Sequence, residues 1–372
     1  MLDALVIGGG QAGLAVGYHL RRHGLRFLVL DAARHPGGAW RGFWPSLRLF
    51  SPASHSSLPG RPMPGTPGEP YPRAGHVVEY LTAYERRYDL PVRRPVTVRA
   101  VRRVADGLAV ETDDGSGAGL DTGGEPGTLV ARAVISATGT WSRPFVPALP
   151  GRDRYRGRLL HTVDYRGPEE FAGRRVVVVG GGNSGAQIAA DLAPHARTLW
   201  VTRRPPRFLP DDIDGRALFD TATARRRALE AGRPDPGGVA ALGDVVATEA
   251  VREAREQGTL TALPMFDRLE PEGPRWADGT VRPADAIILC TGFRPALAHL
   301  APLRPRRARG RIPVEGTRSV DEPRLFLLGY GDWTGPASAT LIGVGRPARE
   351  TAAAVADLPD VRAARESRAR AG

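Results

Sequence analysis

Two glycine patterns are the parts of this 372-residue sequence best suited to chemistry. A hydrophobic strand at 4–7 runs into Gly8, Gly10 and Gly13, and a second at 176–179 runs into Gly180, Gly182 and Gly185, with Asn183 and Ser184 between the last two. In a Gly-x-Gly-x-x-Gly turn the first glycine permits the tight turn, the second lets the backbone approach a pyrophosphate, and the third brings helix and strand close. The helix that follows aims its free N–H groups at the anion. One strand later the copies part company: "LRFLVLDAARH" places Asp31 after Gly8 at the spacing at which "RTLWVTRRPPR" places Arg203 after Gly180. A carboxylate in that slot accepts hydrogen bonds from an adenosine ribose and repels a 2′-phosphate. An arginine grips phosphate and stacks on adenine. With Thr202 before Arg203 and Arg204 after it, the second unit suits NADPH, and the first suits a dinucleotide with a free ribose, FAD or NAD.

Other elements choose between those two and place the cradles. "VISATGTW" (134–141), which contains Gly139 and ends a meander at 96–104, 108–112 and 129–137, is one point where the chain crosses between lobes, and "AIILCTGF" (286–293) is the other. "RLFLLGYGDWTGPASATLIGVG" (324–345) reads as a strand, then Gly331 and Asp332, then a helix starting near 336–339. A carboxylate at the strand end suits ribityl hydroxyls, and a helix N-terminus suits a flavin pyrimidine, which selects FAD for the first cradle. The expected fold is α/β, with two Rossmann-like, three-layer (ββα/αβα) dinucleotide-binding domains. An NADPH domain at 149–282 is inserted into a discontinuous FAD domain, 1–148 and 283–360, and an Arg/Ala-rich tail, 361–372, follows as a fraying helix. Within the insert, "RALFDTATARRRALEAG" and "VVATEAVREAREQG" read as helices on either side of the loop "RPDPGG", and are candidates for a substrate or dimer surface.

Composition removes several function classes. The net charge of +12 comes from arginine alone, since the sequence holds no lysine. The arginines are scattered, without the aromatic-interleaved basic stripe that stacks bases, so no nucleic-acid partner is expected. Without lysine there is no Schiff-base mechanism and no lysine-dependent P-loop. The lone Cys290 rules out an internal disulfide, a Cys-x-x-Cys redox pair and a thiolate zinc cage; no metal is expected. No apolar run approaches the roughly 20 residues of a membrane helix and no leader precedes the first strand, which reads as a cytoplasmic enzyme without a membrane partner.

Taken together, these motifs resemble the class B flavin-containing monooxygenases, most closely the small bacterial flavin monooxygenases associated with arsenic resistance operons. The likeness rests on both glycine turns, on "PGGAWRGFWPSLRLFSPASHSSLPGRPMP" (36–64), on "YPRAGHVVEYLTAYERRYDLPV" (71–92), and on the linker "YRGRLLHTVDY", with Tyr155, Gly157, His161 and Tyr165 at the family's fingerprint positions. The resemblance implies an enzyme that binds FAD and NADPH, passes hydride from NADPH to the flavin, and uses an oxygen adduct at flavin C4a to oxygenate a small molecule with O2. It implies Gly37, Gly38 and Trp40 against the flavin ring, His161 linking the domains and seating NADPH, and Phe50 and Tyr165 near the site. Tyr155 stands where the family usually has Phe, a mild change between aromatics, and two further departures narrow what is implied. Phe50 stands where amine and sulfide oxygenases carry asparagine, and Tyr165 where the Baeyer–Villiger branch carries tryptophan. Neither substrate subclass is assigned, and a reductase or oxidase passing electrons to a quinone, a metal ion or O2 is the alternative. An arsenical substrate would be held by shape and by aromatics such as Phe43, Trp44 or Phe50, because one cysteine cannot supply a thiolate cluster.

Overall fold

The computed structural model describes residues 1–113, 127–211, 213, 215–234 and 244–371. Its strands are β1 (Leu2–Ile7), β2 (Phe27–Leu30), β3 (Val92–Arg93), β4 (Val98–Val104), β5 (Gly107–Thr112), β6 (Thr128–Ser136), β7 (Arg158–His161), β8 (Arg175–Val179), β9 (Arg197–Thr202), β10 (Ala262–Pro264), β11 (Arg268–Glu270), β12 (Gly273–Arg275), β13 (Ala286–Leu289), β14 (Val314–Glu315), β15 (Arg318–Ser319) and β16 (Leu325–Leu327). Its helices are α1 (Gln11–Arg22), α2 (Ala74–Arg87), α3 (Asn183–Leu192), α4 (Gly215–Glu230), α5 (Glu249–Glu256), α6 (Gly345–Ala356) and α7 (Pro359–Ala371).

Two sheets carry the two cradles. The first runs β14-β15-β16-β6-β1-β2-β3, parallel from β16 to β3, with the antiparallel β4–β5 meander hung on the first half of β6. The second is β10-β9-β8-β13-β7, parallel throughout. Central parallel strands are covered on both faces and therefore read as unbroken apolar runs. In β1, Ala4 and Val6 join a core under α1, α2 and α6, while Leu5 and Ile7 face the meander side. In β8, Val176 and Val178 pack toward α3, and Val177 and Val179 toward Leu149, Phe266 and Leu269. The valine run thus splits by the two-residue period of a strand between two cores.

Three expectations are corrected. Strand β13 belongs to the second sheet, between β8 and β7, so the chain returns to the first unit after Leu289 and not at 283. At that central position Ala-Ile-Ile-Leu is covered on both faces. The segment 336–344 is a chain of turns, and the regular helix begins at Gly345. Ala337 at φ +56° and Gly335 at φ +121° interrupt helical geometry, and Gly343 packs onto the Ala337 carbonyl so closely that an added Cβ would lie 2.2 Å from it. The tail is a docked helix: Arg368 on α7 donates at 2.6 Å to Asp3, a fully buried carboxylate at the start of β1. The expected helices of the insert form as α4 and α5; the loop expected at 233–238 lies outside the described residues from 235 onward.

Candidate functional site

The glycine turns fold to the same design. Gly8 and Gly180 sit at φ +109° and +144°, which favours glycine, and a Cβ on either would meet the next crossover strand: the Ala137 carbonyl oxygen at 2.5 Å for Gly8, the Cys290 carbonyl oxygen at 2.3 Å for Gly180. Cys290 is therefore the wall of the second turn, as Ala137 is of the first. Burial pushes its thiol up to about 12, so it is no thiolate nucleophile. Gly13 and Gly185 press on the carbonyls of Gly8 and Gly180, where a Cβ would come within 1.9 and 2.1 Å. Gly10 and Gly182 differ in kind: a Cβ on Gly10 would find only the Gly38 Cα at 3.9 Å, and one on Gly182 nothing within 4 Å. Both are extended N-cap residues, and no side chain caps either helix. Each turn thus offers uncapped helix N–H groups toward open space beside its middle glycine, which fits a pyrophosphate in each.

The slots at the strand ends differ in charge and in exposure. Asp31 is buried, and its Oδ2 accepts from Arg94 Nε at 2.7 Å. Arg203 and Arg204 are exposed, and with Gly180, Gly181, Pro205, Met265 and others they line a groove of about 690 Å³. Thr202 is buried beneath them, its methyl lying 3.5 Å from where a Cβ on Gly181 would sit. Asn183 turns away from the groove, its Oδ1 accepting from the Val246 amide at 2.8 Å, so its role is to tie the 244–248 segment to the start of α3. Ser184 occupies the first turn of α3.

The remaining residues expected around the flavin gather at the first turn. Gly37 and Gly38 have positive φ, and a Cβ on Gly38 would meet Gly10 Cα at 2.8 Å. Trp40 is half-buried and donates to Gln11 Oε1 at 2.9 Å; Gln11 in turn donates to the Ala339 carbonyl at 2.7 Å, joining the turn, α1 and the returning segment. Asp332 is exposed after Gly331, and its Oδ1 accepts from the Ala337 amide at 3.4 Å; it stabilises the turns rather than capping α6. Gly139, at φ +63°, accepts from the Ala296 amide at 3.0 Å and joins the two crossovers. An aromatic seam also joins them, with ring centroids 5.3 Å apart for Trp40–Phe43, 4.3 Å for Phe43–Trp141, 5.2 Å for Trp141–Phe293 and 5.1 Å for Phe293–His161.

The three residues expected near the reaction do not meet. His161 is buried at the second crossover, with Nε2 3.1 Å from the Gly292 carbonyl and Nδ1 without a hydrogen-bond partner; burial lowers its pKa. Tyr165 is fully enclosed between Trp44 and Phe171 and donates to Asp191 on α3 at 2.7 Å, so it stands behind the cavity that Trp44 and Asp191 line, without a surface of its own in it. Phe50 accepts at its carbonyl from the Gly215 amide at 2.6 Å and lines a cavity of about 550 Å³ between the units. Trp44, Gln187 and Val246 share that cavity, as does Arg252 of α5; α4 contributes Phe219 and Thr223 to a different, smaller one. The fingerprint residues Tyr155 and Gly157 prove structural, the Tyr155 ring lying where a Cβ on Gly157 would sit. No group of His, Cys, Asp and Glu suited to a metal ion occurs among the described residues, and no described helix is long and apolar enough to cross a membrane.

Residues 5–214 match a family model described as pyridine nucleotide-disulphide oxidoreductase. Among solved structures, a flavin-containing monooxygenase from Stenotrophomonas maltophilia matches with a TM-score of 0.83 at 46% identity, over 95% of this chain and 98% of that one. An oxidoreductase described as CzcO-like from Geobacillus kaustophilus is 32% identical over 219 residues, so the match spans 59% of that relative's length. The indole-3-pyruvate monooxygenase YUCCA4 of Oryza sativa subsp. japonica is 29% identical over 328 residues, 78% of this chain and 74% of the relative.

Proposed function

Because the chain belongs to the pyridine nucleotide-disulphide oxidoreductase family and, within it, to the flavin-containing monooxygenases, enzymes whose cofactors are FAD and NADPH, we propose that it oxygenates a small soft-nucleophilic molecule at the expense of NADPH and O2. The observation that carries this reading is the pair of like-built turns with unlike slots: a buried carboxylate at Asp31, exposed guanidinium groups at Arg203 and Arg204. Bound together, the two cofactors supply hydride transfer and oxygen activation, so that one oxygen atom enters the substrate and the other leaves as water.

The protein's part is binding, orientation and exclusion of water. Gly8, Gly10 and Gly13 with the first turn of α1 hold the FAD pyrophosphate, and Asp31 takes the adenosine ribose. Gly38, Trp40, Gly139, Gly331 and Asp332 surround the flavin end, with Gln11 fixing the indole that closes it. Gly180, Gly182 and Gly185, with the Ser184 end of α3, take the NADPH pyrophosphate, and Arg203 and Arg204 its 2′-phosphate. Asn183 and Thr202 shape that groove from behind. His161, whose burial favours the neutral imidazole, braces the crossover that sets one unit against the other. The cavity lined by Phe50, Trp44 and Gln187 receives the substrate, being walled by both units and tied through Val246 to the start of α3.

Purified enzyme given NADPH, 18O2 and methyl phenyl sulfide tests the reading. Sulfoxide carrying one 18O, with hydrogen peroxide well below the NADPH consumed, is the expected result. Peroxide equal to the NADPH consumed with every substrate supplied would make the chain a reductase or oxidase. Arsenite in the same assay tests the extension to an arsenic(III) centre, a soft nucleophile of the same kind.

A further inference from the structure

The first nucleotide slot contains an ion cluster for which the glycine motif gives no reason. Arg94 follows β3 and is enclosed, with 9% of its side chain exposed. Its Nη1 and Nη2 form a two-pronged bond to Glu85 of α2, at 2.6 and 2.8 Å, and its Nε donates to Asp31 Oδ2 at 2.7 Å. The same guanidinium lies 3.4 Å from the Gly9 carbonyl, inside the turn. Gly9 bears independently on this cluster: a Cβ there would meet Asp31 Oδ2 at 2.7 Å and Arg94 Nη2 at 2.8 Å. Its counterpart Gly181 has nothing nearer than a Thr202 methyl at 3.5 Å. Gly9, between the first and second glycines of the motif, is thus demanded by the cluster and not by the turn itself.

Glu85 alone would neutralise the guanidinium. The added bond to Asp31 leaves the trio with one net negative charge and ties one carboxylate oxygen, while Oδ1 receives only the Ala33 amide at 3.3 Å. Lone pairs on Asp31 remain for hydroxyl donors, and the side chain cannot swing away from the turn. We propose that Arg94 is a positioning residue for the adenosine end of the resident dinucleotide, holding the Asp31 carboxylate at the ribose with Glu85 as its counterion. This rests on the assignment of the first cradle to FAD. A guanidinium is required because it alone reaches two carboxylates in fixed directions.

The test is titration of flavin-free protein with FAD, read by quenching of flavin fluorescence, on wild type, Arg94→Met, Arg94→Lys, Asp31→Asn and the Asp31→Asn/Arg94→Met double variant. NADPH affinity and thermal melting are measured in parallel. Arg94→Met is expected to weaken FAD at least tenfold with NADPH affinity within twofold, Arg94→Lys to fall between, and the double variant to be no weaker than Asp31→Asn alone, because both changes remove one interaction. Wild-type FAD affinity in Arg94→Met overturns the inference, as do fully multiplicative losses in the double variant or a parallel loss of NADPH. Should Arg94→Met fail to fold, Arg94→Lys carries the test: FAD at least threefold weaker at an unchanged melting temperature supports the role, and wild-type affinity refutes it. Failure of the wild-type protein to bind FAD is a different result and would remove the cradle assignment itself.

Discussion

Gly182 and Gly185 stand three positions apart in one motif and meet opposite physical demands. A methyl on Gly185 would lie 2.1 Å from the Gly180 carbonyl oxygen, so β8 and α3 would have to separate. Gly185→Ala should cost about 1–3 kcal/mol of stability, as overpacking does. A methyl on Gly182 meets no protein atom within 4 Å, only the space assigned to the pyrophosphate. Gly182→Ala should unfold in urea within about 1 kcal/mol of wild type yet bind NADPH at least tenfold more weakly; equal NADPH affinity would show that this glycine faces no phosphate. The contrast between Asp31 and Arg203 was legible in the sequence because local spacing fixes it. Arg94 and Gln11 were not, since their partners lie 63 and 328 positions away and no periodicity links them. Tyr165 was legible as a position but not as an orientation: a fingerprint says which residue recurs, not that its ring packs behind Trp44.

Helix α7 shows what an element can conceal. Its arginine-rich sequence reads as a solvated tail, yet Arg368 reaches Asp3, which is fully buried and also receives the Arg26 amide at 2.9 Å and Arg132 at 3.5 Å. Breaking a hydrogen-bonded charge pair at a buried carboxylate costs about 1–3 kcal/mol. Arg368→Ala should lower urea stability by that amount, and Arg362→Ala, exposed on the same helix, by less than about 0.5 kcal/mol; equal effects would refute the tie between α7 and β1. The apolar strands themselves were readable from their runs. Which sheet receives β13 was not, because Ala-Ile-Ile-Leu satisfies any central parallel position. The turns at 336–344 escaped detection because Ala337 adopts a left-handed conformation that its residue type does not announce.

At the scale of the whole molecule, one mixed and one parallel sheet, an aromatic seam and a cavity between the units hold a buried slot and an open one in the same chain. Buried imidazoles give this body an acid limit. Burial lowers His19 and His299 to about 4. Unfolded imidazoles titrate near about 6.5, so between these values the unfolded chain binds more protons, and stability is lost as pH falls through that window. The loss should total about 2–4 kcal/mol between pH 7 and pH 4.5, measured by urea unfolding, and His299→Gln should reduce it; a flat profile would show that neither imidazole is neutral when folded. The two-unit plan was legible from the duplicated glycine turns, and Trp44 and Phe50 were legible as candidate aromatics, but the cavity they share with Gln187 and Val246 was not, because its walls come from segments more than a hundred residues apart.

The difference between the two slots is tested most directly by anaerobic stopped-flow loss of flavin absorbance when the purified flavoprotein meets NADPH or NADH, in wild type and in Arg203→Ala. Saturation at concentrations at least tenfold lower for NADPH than for NADH in wild type, with that preference abolished in the variant, is the predicted result. Equal half-saturation for both coenzymes in wild type, or a preference that survives in Arg203→Ala, would contradict it.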